Sequence, residues 1–174
     1  MSDITNIEIK ARCNQPEKIH QKLKELNADY KGCDHQIDTY FNCDNGRLKL
    51  RQGNIENSLI FYNRANQAGP KESDIALAKL PADSPLREVL EKSYGVKVQV
   101  DKQRHIYFID NVKFHIDEVK HLGSFMEIEA IDMDASIGVE KLTEQCQHYM
   151  QLLNIQDIDL IDYSYSDLLL RRCF

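Results

Sequence analysis

The sequence predicts one α+β domain dominated by antiparallel hairpins. Three observations carry this. The chain has 174 residues, 42% of them hydrophobic, with no internal repeat, low-complexity tract or linker, which suits one domain with a sizeable core. Long stretches alternate apolar and polar residues with period two, and a few segments switch to helical period. Turn residues, among them Asp44-Asn45-Gly46 and Asp110-Asn111, stand between neighbouring strand-like runs.

The elements follow in chain order. In residues 6–13, Asn6, Glu8, Lys10 and Arg12 share one face, and Ile7, Ile9, Ala11 and Cys13 the other, which is a strand. Ile19, Leu23 and Leu26 recur at helical spacing over 16–27, after Pro16. Residues 36–42 and 47–51 read as two strands around Asn45-Gly46, a pair that tolerates φ > 0. Residues 58–64 form the next strand, 65–72 a loop, and 73–80 a short strand. A helix is expected at 85–94, with Ser84 as cap, Pro85 in its first turn and Gly95 at its end. Its apolar face would be Leu86, Val89, Leu90 and Tyr94. Strands are expected at 96–109, 112–119 and 124–131. A helix over 136–153 carries Val139, Leu142, Cys146, Tyr149 and Leu153 on one stripe, and a short helix closes the chain near 159–170.

Composition excludes several functions. No apolar run reaches the 18 residues or so of a membrane span, and MSDITNIEIK lacks the pattern of a secretory signal. With 22 Lys and Arg against 28 Asp and Glu, the net charge of −6 argues against general nucleic-acid or anionic-membrane binding while allowing a local basic pocket. Five cysteines without C-x-x-C spacing point to reduced thiols and a cytoplasmic protein rather than a zinc site or disulfide framework.

The polar faces of the strands repeat a theme. Arg47, Lys49 and Arg51 share a face, as do Lys102 and Arg104, Lys113, His115 and Asp117, Glu127 and Glu129, and Glu8 and Lys10. One reading is a curved sheet whose charged face is simply wet. The other is a sheet closed into a barrel with these faces inward. Crowding like charges is costly, and an anionic ligand would offset the cations as a divalent metal would the carboxylates.

Asn6-Ile7-Glu8-Ile9-Lys10 resembles the E-x-E-x-K signature of the CYTH, or triphosphate tunnel metalloenzyme, superfamily. Residues 36–41, 48–51, 59–64 and 100–104 resemble later strands of that family in order, and 70–73 resemble the loop entering the strand after 59–64. Residues 115–129, HIDEVKHLGSFMEIE, are similar to the H-x-D-x-V-x-x-L-G-x-F-x-E-x-E run of the branch containing class IV adenylyl cyclases. Tyr163-Ser164-Tyr165 continues the likeness. The resemblance implies a single CYTH domain over 1–174: an eight-stranded antiparallel β-barrel with helices outside. It implies a divalent-metal-dependent enzyme using Mg2+ or Mn2+, either an adenylyl cyclase or a triphosphatase.

By that resemblance Glu8, Glu127 and Glu129 are the metal ligands, carboxylates suiting a hard cation. Lys10, Lys49, Arg51, Arg64, Lys71, Lys102 and Arg104 are the triphosphate ligands, with Lys79 a weaker alternative to Lys71. Asp117 and His115, with Lys10, stand near the reacting phosphate, positioning a water or a sugar hydroxyl. The partner is a small triphosphate: ATP, thiamine triphosphate or tripolyphosphate. A homodimer is compatible by analogy. One departure is conspicuous: Asn6 replaces the first Glu of the signature, removing a charge from the metal set and leaving a non-catalytic anion-binding barrel as a further alternative.

Overall fold

A computed structural model describes residues 4–63 and 70–172, with the main chain alone for 71–74. The described residues form eight strands and four helices: β1 (Ile4–Arg12), α1 (Pro16–Glu25), β2 (Asp29–Phe41), β3 (Arg47–Gln52), β4 (Ser58–Asn63), β5 (Lys71–Lys79), α2 (Leu86–Tyr94), β6 (Val96–Ile109), β7 (Val112–Val119), β8 (Gly123–Asp132), α3 (Val139–Leu152) and α4 (Tyr165–Arg172), with a 3-10 turn at Asp157–Asp159. All neighbouring strands pair antiparallel in the order β1-β5-β4-β3-β2-β6-β7-β8, and β8 returns to β1 to close a barrel. The expected eight-stranded fold is present, and the charged faces point inward.

Period two explains why one strand set serves two environments. On β1, β7 and β8 the outward residues Ile7, Ile9, Phe114, Ile116, Met126 and Ile128 are buried beneath α1 and α3. From the helices, Leu23, Leu142 and Cys146 complete this core, and Tyr149 meets Phe114 edge-on, with ring centroids 4.9 Å apart. Asp132 shapes the entry to α3 by accepting N–H groups from Asp134, Ser136, Ile137 and Gly138. The α4 segment is tied to the barrel by the Ile161 N–H to the Lys10 carbonyl at 2.9 Å and by Arg47 to Asp167 at 2.8 Å.

Several boundaries differ from expectation, each for a physical reason. β2 starts at Asp29, seven residues before the expected 36. Its inward Asp34 and Gln36 are buried but polar, so no hydrophobic alternation announces the strand. β5 takes in Lys71 and Glu72, expected in the loop, because it pairs with β1 as far as Glu8. The β2–β3 connection is wider than a two-residue turn, and of Asn45 and Gly46 only Gly46 has positive φ, +58°. Pro85 takes the cap position of α2, and of the expected apolar face Leu90 is buried while Val89 and Tyr94 are exposed. α4 begins at Tyr165, since Leu160 bridges Ala11 of β1 and the Ile161 N–H donates to the Lys10 carbonyl.

Candidate active site

The barrel encloses a cavity of about 570 Å³, in the range of small-molecule sites. Its wall takes Asn6, Glu8 and Lys10 from β1, Asp38 and Tyr40 from β2, Lys49 and Arg51 from β3, Lys102 and Arg104 from β6, Lys113 and His115 from β7, and Glu127 and Glu129 from β8. These side chains meet because each strand contributes every second residue to the bore.

One ionic cluster is built around Asp38, which is 2% exposed. Arg51 donates to it twice, through Nε and Nη2 at 2.9 Å, with Lys102 Nζ at 2.8 Å and Lys49 Nζ at 3.2 Å. Burial alone would raise the Asp38 carboxyl, but Arg51, Lys102 and Lys49 hold it well below the usual range. Burial pushes Lys102 down to about 7 despite Asp38, with Arg104, Arg51 and Lys49 adding repulsion. Burial also raises the Tyr40 hydroxyl to about 12, so it stays a neutral hydrogen-bonding group.

The other cluster centres on Arg104. It grips Asp117 in a fork, Nε at 2.7 Å and Nη2 at 2.5 Å, and reaches Glu127 at 2.9 Å. The Tyr165 hydroxyl donates to Asp117 at 2.7 Å. Lys10 Nζ stands 3.2 Å from Glu127 and 3.9 Å from the centroid of the Tyr165 ring. Burial lowers Lys10, and it lowers His115 with help from Arg104, so the imidazole is neutral at pH 7. Burial pushes Asp117 and Glu127 up, yet Arg104 reverses this and both stay ionised. His115 Nδ1 lies 3.1 Å from Glu127, which sets the tautomer and leaves a lone pair on Nε2. That buried Nε2 has no partner among the described residues.

Glu8 and Glu129 are cross-strand neighbours facing the bore. The Asn6 amide donates to Glu129, and its buried Oδ1 has no partner among the described residues. Two carboxylates and a carbonyl oxygen are hard donors, a set that suits a cation completing its shell with waters and substrate phosphates. Among the described residues, no group of three or more His, Cys, Asp or Glu side chains is arranged to hold a metal by itself. Glu127, expected as a third ligand, is engaged by Lys10, Arg104 and His115.

A matching family model covers residues 5–165 and is described as the CYTH domain. This chain belongs to the CYTH domain family. Over 93% of its length it is 26% identical to a Methanocaldococcus jannaschii protein named as a candidate adenylate cyclase, of which it covers 97%. A solved structure from Pyrococcus horikoshii OT3 matches 94% of this chain and 98% of its own, with TM-score 0.80 and 25% identity. A candidate adenylyl cyclase from Hippeastrum, described as having a dominant triphosphatase activity, matches 97% of this chain and 95% of its own, with TM-score 0.60 and 14% identity, a likeness of fold.

Within this CYTH barrel the expected residues divide. Lys10, Lys49, Arg51, Lys102, Arg104, His115, Glu8, Glu127 and Glu129 border one cavity. Asp117 is 1% exposed and stands behind Arg104, so it orients the guanidinium instead of facing the bore. Lys71 lies in β5 opposite Glu8, though its side chain is outside the described residues, as is the whole of Arg64. Lys79 and Lys113 also line the cavity. Sequence reasoning missed the internal carboxylates Asp38 and Glu56. Asp38 had a signal, since it sits two residues before Tyr40 in a strand and could be placed on the inward face. Glu56 had none, because its position depends on the fold of the β3–β4 loop.

Proposed function

We propose that this protein is a divalent-metal-dependent enzyme that binds a triphosphate group inside the barrel, with the conversion of ATP to cyclic AMP and pyrophosphate as its leading reaction. The observation that carries this is the convergence of Lys10, Lys49, Arg51, Lys102 and Arg104 on one enclosed cavity. Buried cations in such number are costly unless an anion shares the space, and the internal carboxylates offset only part of that cost. Arg51 and Arg104 add guanidinium charge to the wall, and the lysines offer point charges for phosphate oxygens. Ile60, Ile75, Leu77, Phe108 and Ile131 on the same wall provide an apolar surface for an organic group such as a base. The Methanocaldococcus relative supports the cyclase reading.

Glu8 and Glu129, with Asn6 Oδ1, are the residues that would hold Mg2+ or Mn2+, which would neutralise phosphate charge as it develops. Lys10, Lys102 and Arg104 fix the triphosphate, Asp117 and Tyr165 hold Arg104 in line, and His115 Nε2 can accept a proton from the attacking hydroxyl. In the cyclase reaction the ribose 3′ hydroxyl attacks the α-phosphate and pyrophosphate leaves. A second reading is hydrolysis of inorganic, thiamine or nucleoside triphosphate, in which water attacks the terminal phosphate. The unpartnered His115 Nε2 would serve an attacking water in the same way as the ribose hydroxyl. The fold likeness to the Hippeastrum protein is in accord with it.

The test is to incubate the protein with Mg2+ or Mn2+ and ATP, thiamine triphosphate or tripolyphosphate. Cyclic AMP with pyrophosphate establishes the first reaction, and orthophosphate the second. No product from any substrate, with binding retained, leaves an anion-binding barrel. A cytoplasmic setting and action on small molecules belong to the same reading.

A further inference from the structure

The loop between β3 and β4 carries a carboxylate into the bore. Glu56 borders the cavity and meets Arg51 Nη1 at 3.2 Å, Lys113 Nζ and Gln36 Nε2 at 3.2 Å. Arg51 is on β3 and Lys113 on β7, with β2 and β6 between them in the barrel order. Glu56 therefore spans part of the bore and occupies a place where two cations converge, as a phosphate would.

The loop that presents it is pinned. The main-chain N–H groups of Ile55 and Glu56 donate to the fully buried Asp34 carboxylate at 2.8 and 2.9 Å, and Gln36 Nε2 donates to the same group at 2.8 Å. Asn57 staples the loop base, donating to the Gly53 carbonyl at 2.9 Å and accepting the Gly53 N–H at 3.1 Å. Gly53 is required there because a Cβ would stand 2.7 Å from both Asp34 oxygens. A carboxylate on a loop so fixed cannot withdraw with its backbone when an anion enters.

We propose that Glu56 is an end stop for the phosphate chain: it fills the anion position between Arg51 and Lys113 and so makes the site selective for triphosphates over longer polyphosphates. This rests on the triphosphate reading above. Without such a stop, a longer and more highly charged chain would bind a basic bore at least as tightly as a shorter one. A mobile latch would behave differently, since its removal would strengthen tripolyphosphate and tetrapolyphosphate equally.

The experiment is calorimetric titration of tripolyphosphate and tetrapolyphosphate into the wild-type protein, Glu56→Gln and Glu56→Asp, with the metal held constant. The wild type is expected to prefer tripolyphosphate by about tenfold, the scale of one lost charged contact. In Glu56→Gln that ratio should collapse toward one or invert, whereas Glu56→Asp, which keeps the charge, should retain a preference. A wild type that binds tetrapolyphosphate as tightly as tripolyphosphate overturns the end stop whether or not either variant folds. So does a Glu56→Gln protein with an unchanged ratio. If the wild type binds neither polyphosphate, the triphosphate reading itself falls and the end stop falls with it.

Discussion

Two halves of the barrel carry similar inner walls on unequal foundations. Behind β1, β7 and β8 lies a continuous core in which Ile9, Phe114, Ile128, Leu142 and Cys146 are wholly buried. Behind β3, β4 and β5 the buried cluster is small: Phe41, Leu50 and Leu90, with Leu48, Leu59, Leu80 and Leu86 partly covered. Asp117, His115 and Glu127 stand on the well-founded half, and Asp117 and Glu127 hold Arg104 of the neighbouring β6 in place. Lys49, on the other half, is 13% exposed, against 3% for Arg104 and His115. The difference teaches that orientation is fixed where the core is thick, while the thinner half has fewer apolar contacts to oppose adjustment to a ligand.

The comparison breaks most directly in the cores. Phe114→Ala should cost about 3–5 kcal/mol, and Leu90→Ala only about 2, because the latter site is shallow and can collapse. Urea denaturation reads both, and equal losses would mean the halves are equally founded. Next, Asp117→Asn should cost about 3 kcal/mol, because it leaves the buried Arg104 fork and the Tyr165 hydroxyl without their shared anion. Tyr165→Phe should cost about 1.5 kcal/mol through one lost hydrogen bond to a charged group. Removing Arg104 relieves repulsion among cations but strands Asp117 and Glu127, so it would damage the fold as well as binding.

Lys102 sharpens the comparison through pH. Its folded value of about 7 lies below the ordinary 10.5. Between those values the unfolded chain holds a proton that the folded one lacks, so this group makes stability rise with pH across that window. A bound triphosphate restores the charge, so binding at about pH 8 should take up a proton and affinity should fall as pH rises above 7. Calorimetry in buffers of different ionisation enthalpy measures the uptake, and its absence would mean Lys102 is charged before the ligand arrives. The smallest effect is expected at Asn6. Asn6→Glu sets a second carboxylate against Glu129 at a buried position, so it should lower the melting temperature without metal. It should also enlarge the rise produced by Mg2+ with tripolyphosphate held fixed, as ligand charge count increases. A melting profile that responds to Mg2+ like the wild type would place residue 6 away from the cation.

Much of this was legible in the chain because one physical rule, period two, marked both the strands and their inward faces. Ile7-Glu8-Ile9-Lys10 announces a strand with an apolar outside and a charged inside, and 115–129 does so again. The rule failed where both faces are polar, as at Asp29–His35, and where position depends on a loop, as at Glu56. It also could not tell facing the bore from standing behind a neighbour, which separates His115 from Asp117. Their residue types share one strand face, and only the Arg104 fork distinguishes their roles.

The inner wall is expected to grip a triphosphate through its cations. Lys49 tests it best, because it lines the cavity and Asp38 keeps Arg51 and Lys102 when Lys49 is removed. Calorimetric titration of tripolyphosphate into the wild type and Lys49→Met should show tight binding to the first and a loss of roughly tenfold to a hundredfold in the second, the scale of one charged hydrogen bond, with the melting temperature nearly unchanged. Equal affinity in the two proteins, or no binding to the wild type, would contradict the account.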